Sequence, residues 1–360
     1  MSCISGTHTG NRKAFFDLSR EAEVLECSRK SVLPVQERFQ SCERWSLEVL
    51  FCDPVFYTAS GETPSVYLKE KEDLLSWAIS LLSLSPTAEK ILEDCMDQGW
   101  FLALENLEGP DFHLDVPEKT IVLDHNGLSV SALAQSEYFR HMVLVSCIRA
   151  LRDVWHEKRH GAFEDLYALE DVLVLERVRA SDLDIMTVLI AWELREEGFC
   201  GLWRSLISGE DGDLAMCFYA TLEGSDGSPV AVKKALSAIF QEWFEDESRI
   251  RLCDHESLNY FDAFVCGSLD RSPAGKKVSA IGIETLSCLP DKTAYLRGMG
   301  PEILRHPKYA GLNDPINQSH FLQILHDISA VWVHDVPFRD LALARKIFPN
   351  GAFTPQEDLL

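Results

Sequence analysis

Five consecutive residues, His156-Glu157-Lys158-Arg159-His160, form the pattern HExxH. In an α-helix, residues four apart lie on the same face, so both imidazoles can bind one zinc ion. A glutamate beside the first histidine can then act as general base on the metal-bound water, which is the mechanism of a zinc peptidase. The pattern therefore predicts His156 and His160 as zinc ligands and Glu157 as the catalytic base.

A third zinc ligand would have to come from the next predicted helix, at about 169–197. Asp182 and Glu193 lie there on one otherwise apolar stripe, at the ends of the helical spacing i, i+4, i+7, i+11. A buried carboxylate needs a cation, a proton or a hydrogen-bonding partner. We predict Asp182 as the third ligand, with Glu176 or Glu193 as alternatives.

Two features of the motif favour a metal-free interpretation. Its central residues are Lys158 and Arg159, and a cation beside Zn²⁺ is electrostatically unfavourable. The motif also ends its helix, immediately before a glycine, where fraying loosens the geometry of ligands. In this alternative the motif is a charged C-terminal turn that favours the helix dipole. Asp182 then forms an ion pair with Arg152 or Arg179.

The composition indicates a folded chain with a strongly acidic surface. Of the 360 residues, 46% are hydrophobic and 25% are charged, as is typical of a folded protein of two or three domains. The 57 acidic residues outnumber the 34 basic ones, which gives a net charge of -23. Such a surface repels phosphate backbones and anionic lipids, so we expect neither nucleic acid nor membrane as a partner.

The cysteines and the N-terminus predict a reducing, cytoplasmic location. The 11 cysteines include no CxxC pair, and their odd number is typical of free thiols rather than of a disulfide framework. The first 16 residues lack the apolar region of a signal peptide. No stretch reaches the roughly 18 uncharged apolar residues that a membrane span needs.

The order of the predicted elements indicates a predominantly α-helical α+β fold. Segments 100–107 and 120–124 have the pattern of strands, joined by a turn-rich link through a Gly-Pro pair at 109–110. A long helical pattern follows at about 131–160, and a second covers 169–197. This order is similar to that of a minimal zincin, in which a metal-bearing helix lies on a small sheet and the following helix provides the third ligand.

We expect three regions along the chain. Residues 1–84 form an N-terminal helical or irregular region, and residues 85–266 form the zincin-like domain. Residues 267–360 form a C-terminal helical segment. The second boundary is placed where the composition turns to Gly, Ser, Pro and Lys.

The stretch from about 85 to 262 resembles a bacterial family of metallopeptidase-like proteins. The resemblance rests on Ile-Val-Leu-Asp at 121–124, Arg-Ala-Leu-Arg-Asp-Val-Trp at 149–155 and Ala-Ser-Asp at 180–182, and it continues through 190–195, 202–203 and 212–215. It covers about half of the chain. It implies a zincin-like domain, zinc as the cofactor and a peptide or protein as the substrate.

The resemblance also implies a metal helix seven residues before the literal motif. There the family has His-Glu-Leu-Arg-His, whereas this chain has Arg149 and Ala150 in place of the first His and Glu, and Asp153 in place of the second His. Of the Glu-Ala-Asp ligands on the next helix, only Asp182 remains. This degenerate register lacks its metal ligands, and salt bridges of Arg149 or Arg152 with the two aspartates could keep the interior neutral without metal.

Two functions therefore remain open. The first is a zinc-dependent peptidase that uses the ligands and the base named above. The second is a metal-free pseudoenzyme that serves as a scaffold or a regulatory binding protein. Convergence of His156, His160 and a carboxylate of the second helix on one point would favour the enzyme. A solvent-facing His160 and a contact of Arg149 with Asp182 would favour the pseudoenzyme.

Overall fold

The computed structural model describes residues 42–52, 68–164, 166–267, 275–329, 331–333, 336–338 and 341–347. Apart from residues 42 and 43, these belong to one compact unit, Arg44–Leu360. Most of the predicted N-terminal region lies outside the described residues. The three predicted regions stay predictions.

The described residues form six strands and fifteen helices. In chain order they are β1 (Arg44–Ser46), α1 (Leu47–Cys52), α2 (Lys71–Leu82), α3 (Pro86–Asp97), β2 (Phe101–Glu105), β3 (Phe112–Asp115), β4 (Thr120–Asp124), α4 (Val130–Gln135), α5 (Glu137–His160), α6 (Leu169–Glu196), α7 (Cys200–Ser208), α8 (Gly212–Leu222), α9 (Pro229–Trp243), α10 (Glu247–Gly267), α11 (Ala280–Leu286), α12 (Gly300–Ile303), α13 (Pro307–Ala310), α14 (Pro315–Ser329), β5 (Val331–Val333), β6 (Val336–Phe338) and α15 (Leu341–Ile347). The prediction of a predominantly α-helical α+β fold is confirmed.

Four of the strands form a small mixed sheet in the order β1-β2-β4-β3. β2 and β4 are parallel, and β1 and β3 pair antiparallel with them on the outside. β4 is buried along its whole length, and both predicted strands are present. β3 was missed, because its four residues follow a Gly-Pro turn and are too few to show a clear alternation.

The long helix α5 lies on this sheet, and α6 packs against α5. The predicted helix at 131–160 is divided, since Ser136 adopts an extended conformation and its hydroxyl accepts a hydrogen bond from the N–H of Phe139 at the start of α5. α5 ends at His160 and is followed by the C-cap residue Gly161, whose φ of 65° favours glycine. Among the described residues, no helix is both long and apolar enough to cross a bilayer.

The segment from α11 to α13 packs onto α5 and α6 and closes one side of the core. The carbonyls of Leu286, the last residue of α11, and of Cys288 accept hydrogen bonds from Arg152 of α5. Gly300 begins α12 directly against the backbone of Ala280 in α11, and an added Cβ would overlap the carbonyl oxygen of Ala280. The absence of a side chain at Gly300 therefore allows this segment to fold back on itself.

Gly300→Ala is expected to lower the free energy of unfolding by about 1–3 kcal/mol, because the backbone of α11 would have to shift to accept the methyl group. Urea-induced unfolding of the two proteins measures the difference. Gly109→Ala is the matched control, since an added Cβ there meets no described heavy atom within 4 Å. Equal losses in both variants would contradict the close approach.

Candidate functional site

Asp182 lies at the centre of a buried ionic network between α5 and α6. Arg152 donates from Nε to Asp182 Oδ2 at 2.6 Å and from Nη2 to Oδ1 at 3.2 Å. Both side chains are 0% exposed. Nε2 of His156 lies 2.8 Å from Oδ2, and the hydroxyl of Tyr295 donates to Oδ1 at 2.7 Å. One carboxylate thus binds three side chains, two from α5 and one from the segment after α11.

The protonation states in this network follow from its contacts. Burial alone would raise the pKa of Asp182, but the guanidinium of Arg152 and the hydrogen bond with His156 outweigh it and hold the pKa well below its usual range. Burial also lowers the pKa of His156, although Asp182 opposes the shift. His156 is therefore neutral, and its Nε2–H donates to the ionised carboxylate. Its Nδ1 is buried and has no hydrogen-bond partner among the described residues.

The side chains of His156, His160 and Asp182 do not fit a zinc ion in this arrangement. Two of the three, His156 and Asp182, are brought together, but they bond each other directly, and Arg152 and Tyr295 also bond the carboxylate. The rings of His156 and His160 are centred 5.9 Å apart, but Nε2 of His156 is bonded to Asp182 and is not open to a metal. Among the described residues, no three His, Cys, Asp or Glu side chains are placed to hold a metal ion.

The other residues of the HExxH motif point in different directions. Glu157 faces a cleft, and its Oε2 lies 4.0 Å from Nη2 of Arg179. Lys158 and Arg159 both pair with Asp94 of α3, at 2.7 and 3.4 Å. These two basic residues thus belong to a partly exposed ion-pair cluster at the end of the helix.

His160, the last residue of the motif, is half-buried. Its burial, together with the nearby His156 and Arg179, lowers its pKa to about 4. The ring therefore stays neutral at pH 7. The ring lies beside that of His156 and is only partly exposed, whereas the pseudoenzyme interpretation expected it to face open solvent.

The degenerate register is rearranged relative to its prediction. Arg152 pairs with Asp182 as one alternative described, whereas Asp153 binds Arg179, with Nε of Arg179 2.5 Å from Oδ1. Arg149 contacts neither aspartate of the predicted site. Its guanidinium instead lies near three other aspartates, Asp184 at 2.6 Å and Asp111 and Asp211 at 3.3 Å.

The alternative third ligands have separate roles. Glu193 caps the N-terminus of α3, where it accepts hydrogen bonds from the hydroxyl and N–H of Thr87 at 2.7 and 3.0 Å and from the hydroxyl of Ser85 at 2.5 Å. Its position on the apolar stripe of α6 reflects this capping contact. Glu176 lies in the cleft that Glu157 faces.

This cleft lies between β3, α5, α6 and α10 and has a volume of about 670 Å³. Its acidic lining residues are Asp153, Glu157, Glu164, Glu176 and Glu256. Its aromatic lining residues are Phe112, Tyr260, Phe261 and Phe264, and it also contains Arg179, His113 and Cys253. The cleft is absent from the sequence-based predictions because α10 was not recognised, although Glu256, Tyr260 and Phe264 follow a four-residue helical spacing.

The electrostatics of the cleft centre on Glu176. Burial and the neighbouring carboxyl groups outweigh the attraction of Arg179 and raise the pKa of Glu176 to about 7. The concave shape, the aromatic wall and a carboxyl group with a shifted pKa together are typical of a binding site.

Residues 70–296 match the family described as "Putative metallopeptidase family (DUF6782)". Because this match covers more than half of the chain, the chain belongs to that family, and the resemblance noted in the sequence is confirmed. No curated protein and no solved structure matches the chain.

Asp182→Asn is expected to lower the free energy of unfolding by about 3–5 kcal/mol, because it leaves the buried guanidinium of Arg152 without a counter-charge. Asp94→Asn is the control, since Asp94 also pairs with basic residues of α5 but in a partly exposed place, where ion pairs contribute about 0–1 kcal/mol. Denaturant unfolding of both variants checks the difference. An equal cost would contradict the central role of the buried pair.

The unfolding free energy is expected to fall as the pH is lowered from about 6.5 towards 4. The unfolded chain takes up a proton on His160 near the ordinary pKa of 6.5, whereas the folded chain resists it until about pH 4. In this window the unfolded chain binds more protons, so acid favours unfolding. His160→Gln should give a shallower pH dependence in urea unfolding at pH 7, 6 and 5. The exposed His255→Gln serves as control, and an unchanged slope in His160→Gln would contradict the assignment.

Proposed function

We propose that this chain is a metal-free member of its metallopeptidase family, which binds a peptide in the cleft and does not hydrolyse it. One observation carries this proposal. Asp182, the predicted zinc ligand, is fully buried and bound through both oxygens to Arg152. The guanidinium supplies the positive charge that a metal would otherwise bring to this place.

The energetics of the buried pair support the proposal. To bind zinc, Asp182 would have to release Arg152, and an unpaired guanidinium in the interior costs several kcal/mol. The carbonyls of Leu286 and Cys288 also hold Arg152 in place. The fixed guanidinium of Arg152 would also repel a metal ion bound to Asp182, which would further weaken metal binding.

The position of β3 supports peptide binding. Among the described strands, β3 has one neighbour, β4, so its other edge can pair with an extended segment of a partner. Phe112, His113 and Leu114 of this strand line the cleft. A peptide added along β3 would therefore place its side chains among the acidic and aromatic groups of α5, α6 and α10.

The family description favours a second candidate, a zinc-dependent peptidase with His156, His160 and Asp182 as ligands and Glu157 as base. This function requires Arg152 to move away from Asp182 and His160 to move towards Asp182. The cytoplasmic location and the exclusion of nucleic acid and membranes as partners stay predictions.

Zinc content distinguishes the two candidates. The protein is purified without a His-tag or chelator, and zinc is measured by inductively coupled plasma mass spectrometry alongside His156→Ala and the exposed control His255→Ala. We expect background zinc in all three proteins, and no cleavage of a mixed peptide library above that of Glu157→Gln. Near-stoichiometric zinc that is lost only in His156→Ala would contradict the proposal and support the peptidase.

A further inference from the structure

The cleft contains more carboxyl groups than positive charges. Five acidic side chains line it, and among its described lining residues Arg179 is the one arginine or lysine. The acidic groups come from four segments of the chain: Asp153 and Glu157 from α5, Glu164 from the loop after α5, Glu176 from α6 and Glu256 from α10. A cationic ligand would meet favourable charge on every side except that of Arg179.

Three of these carboxyl groups, Glu164, Glu176 and Glu256, form no ion pair with a described residue, and Glu256 is exposed. Arg179 donates to Asp153 at 2.5 Å and lies 4.0 Å from Glu157. Glu164 interacts with the hydroxyl of Tyr260. Glu176 forms no ion pair among the described residues, although it is half-buried. An ionised carboxylate in such a place is costly unless a cation accompanies it.

The aromatic wall beside this group fits a long basic side chain. Tyr260 lines the cleft with its side chain 63% exposed, and Phe112 and Phe264 lie in the same wall. The methylene stem of lysine or arginine packs on such rings, and the cationic end interacts with their faces. An acidic residue in a partner would instead meet repulsion from the carboxyl groups.

We propose, on the basis of the proposed function, that the peptide bound in the cleft presents a lysine or arginine side chain to Glu176. The stem of that side chain packs against Tyr260, and the main chain follows the free edge of β3. The net charge of -23 on the chain adds a long-range attraction for basic segments. Glu176 thus determines the specificity of the cleft.

The test uses the full chain and three fluorescein-labelled octapeptide libraries. The central residue is lysine, norleucine or glutamate, and the other positions are randomised among uncharged residues. Fluorescence anisotropy should show at least tenfold tighter binding of the lysine library than of the norleucine library, and the weakest binding for glutamate. This preference should decrease with added salt.

Glu176→Gln should reduce the affinity for the lysine library to that for norleucine and leave the norleucine affinity unchanged. Glu196→Gln is the matched control, because it removes the same charge from an exposed position of α6 outside the cleft. Tyr260→Leu, at an exposed position on α10, is a second variant. It should weaken lysine binding more than norleucine binding, and it keeps the test valid if Glu176→Gln fails to fold.

The outcomes separate this inference from the function on which it rests. Equal binding of all three libraries would overturn the basic specificity and leave peptide binding intact. A lysine preference that persists in Glu176→Gln, or that falls equally in Glu196→Gln, would overturn the role of Glu176. Binding of none of the libraries would overturn peptide binding itself, and the inference with it.

Discussion

The packing of α5, α6 and the segment after α11 depends on the burial of Arg152. A guanidinium that is fully excluded from water must place its donors on acceptors. Its Nε and Nη2 meet both oxygens of Asp182 and the carbonyls of Leu286 and Cys288, whereas Nη1 has no hydrogen-bond partner among the described residues. Tyr295, from the same C-terminal segment, donates to the same carboxylate. A shift of any of these segments would leave a buried charge unpaired, so the ionic network fixes their relative positions.

A second buried ion pair positions α10, which forms one wall of the cleft. Arg177 of α6 binds both oxygens of Asp254 in α10, at 2.5 and 2.9 Å, and its Nη1 donates to the carbonyl of Tyr309 at 2.7 Å. This pair holds α10 against α6, and α10 carries Tyr260 and Glu256 into the cleft. The shape of the cleft therefore follows from an interior ion pair as much as from apolar contacts.

Much of the fold could be predicted from periodicity, because the two central strands and the helices α5 and α6 have continuous apolar patterns. β3 and α10 could not, since β3 is very short and α10 mixes charged residues with its aromatic ones. The candidate site shows more clearly what cannot be predicted from sequence patterns. Helical spacing indicates which residues share a face, and so it identified Asp182 as a buried acid. Helical spacing does not reveal whether the partner of Asp182 is zinc or Arg152, because either cation neutralises the carboxylate.

The carboxyl groups on the two sides of α6 differ in how they are neutralised. This difference distinguishes a structural role on one side from a binding role on the other. Asp182, on the side facing the C-terminal segment, is neutralised within the chain and reached by no solvent, so it contributes to rigidity and cannot respond to a ligand without a large cost. Glu176, on the cleft side, lies among acids that outnumber the available cation. A protein that needed these carboxyl groups only for stability would gain by pairing or removing them. Their position beside β3, which has one neighbour among the described strands, is physically consistent with a positive charge supplied from outside the chain.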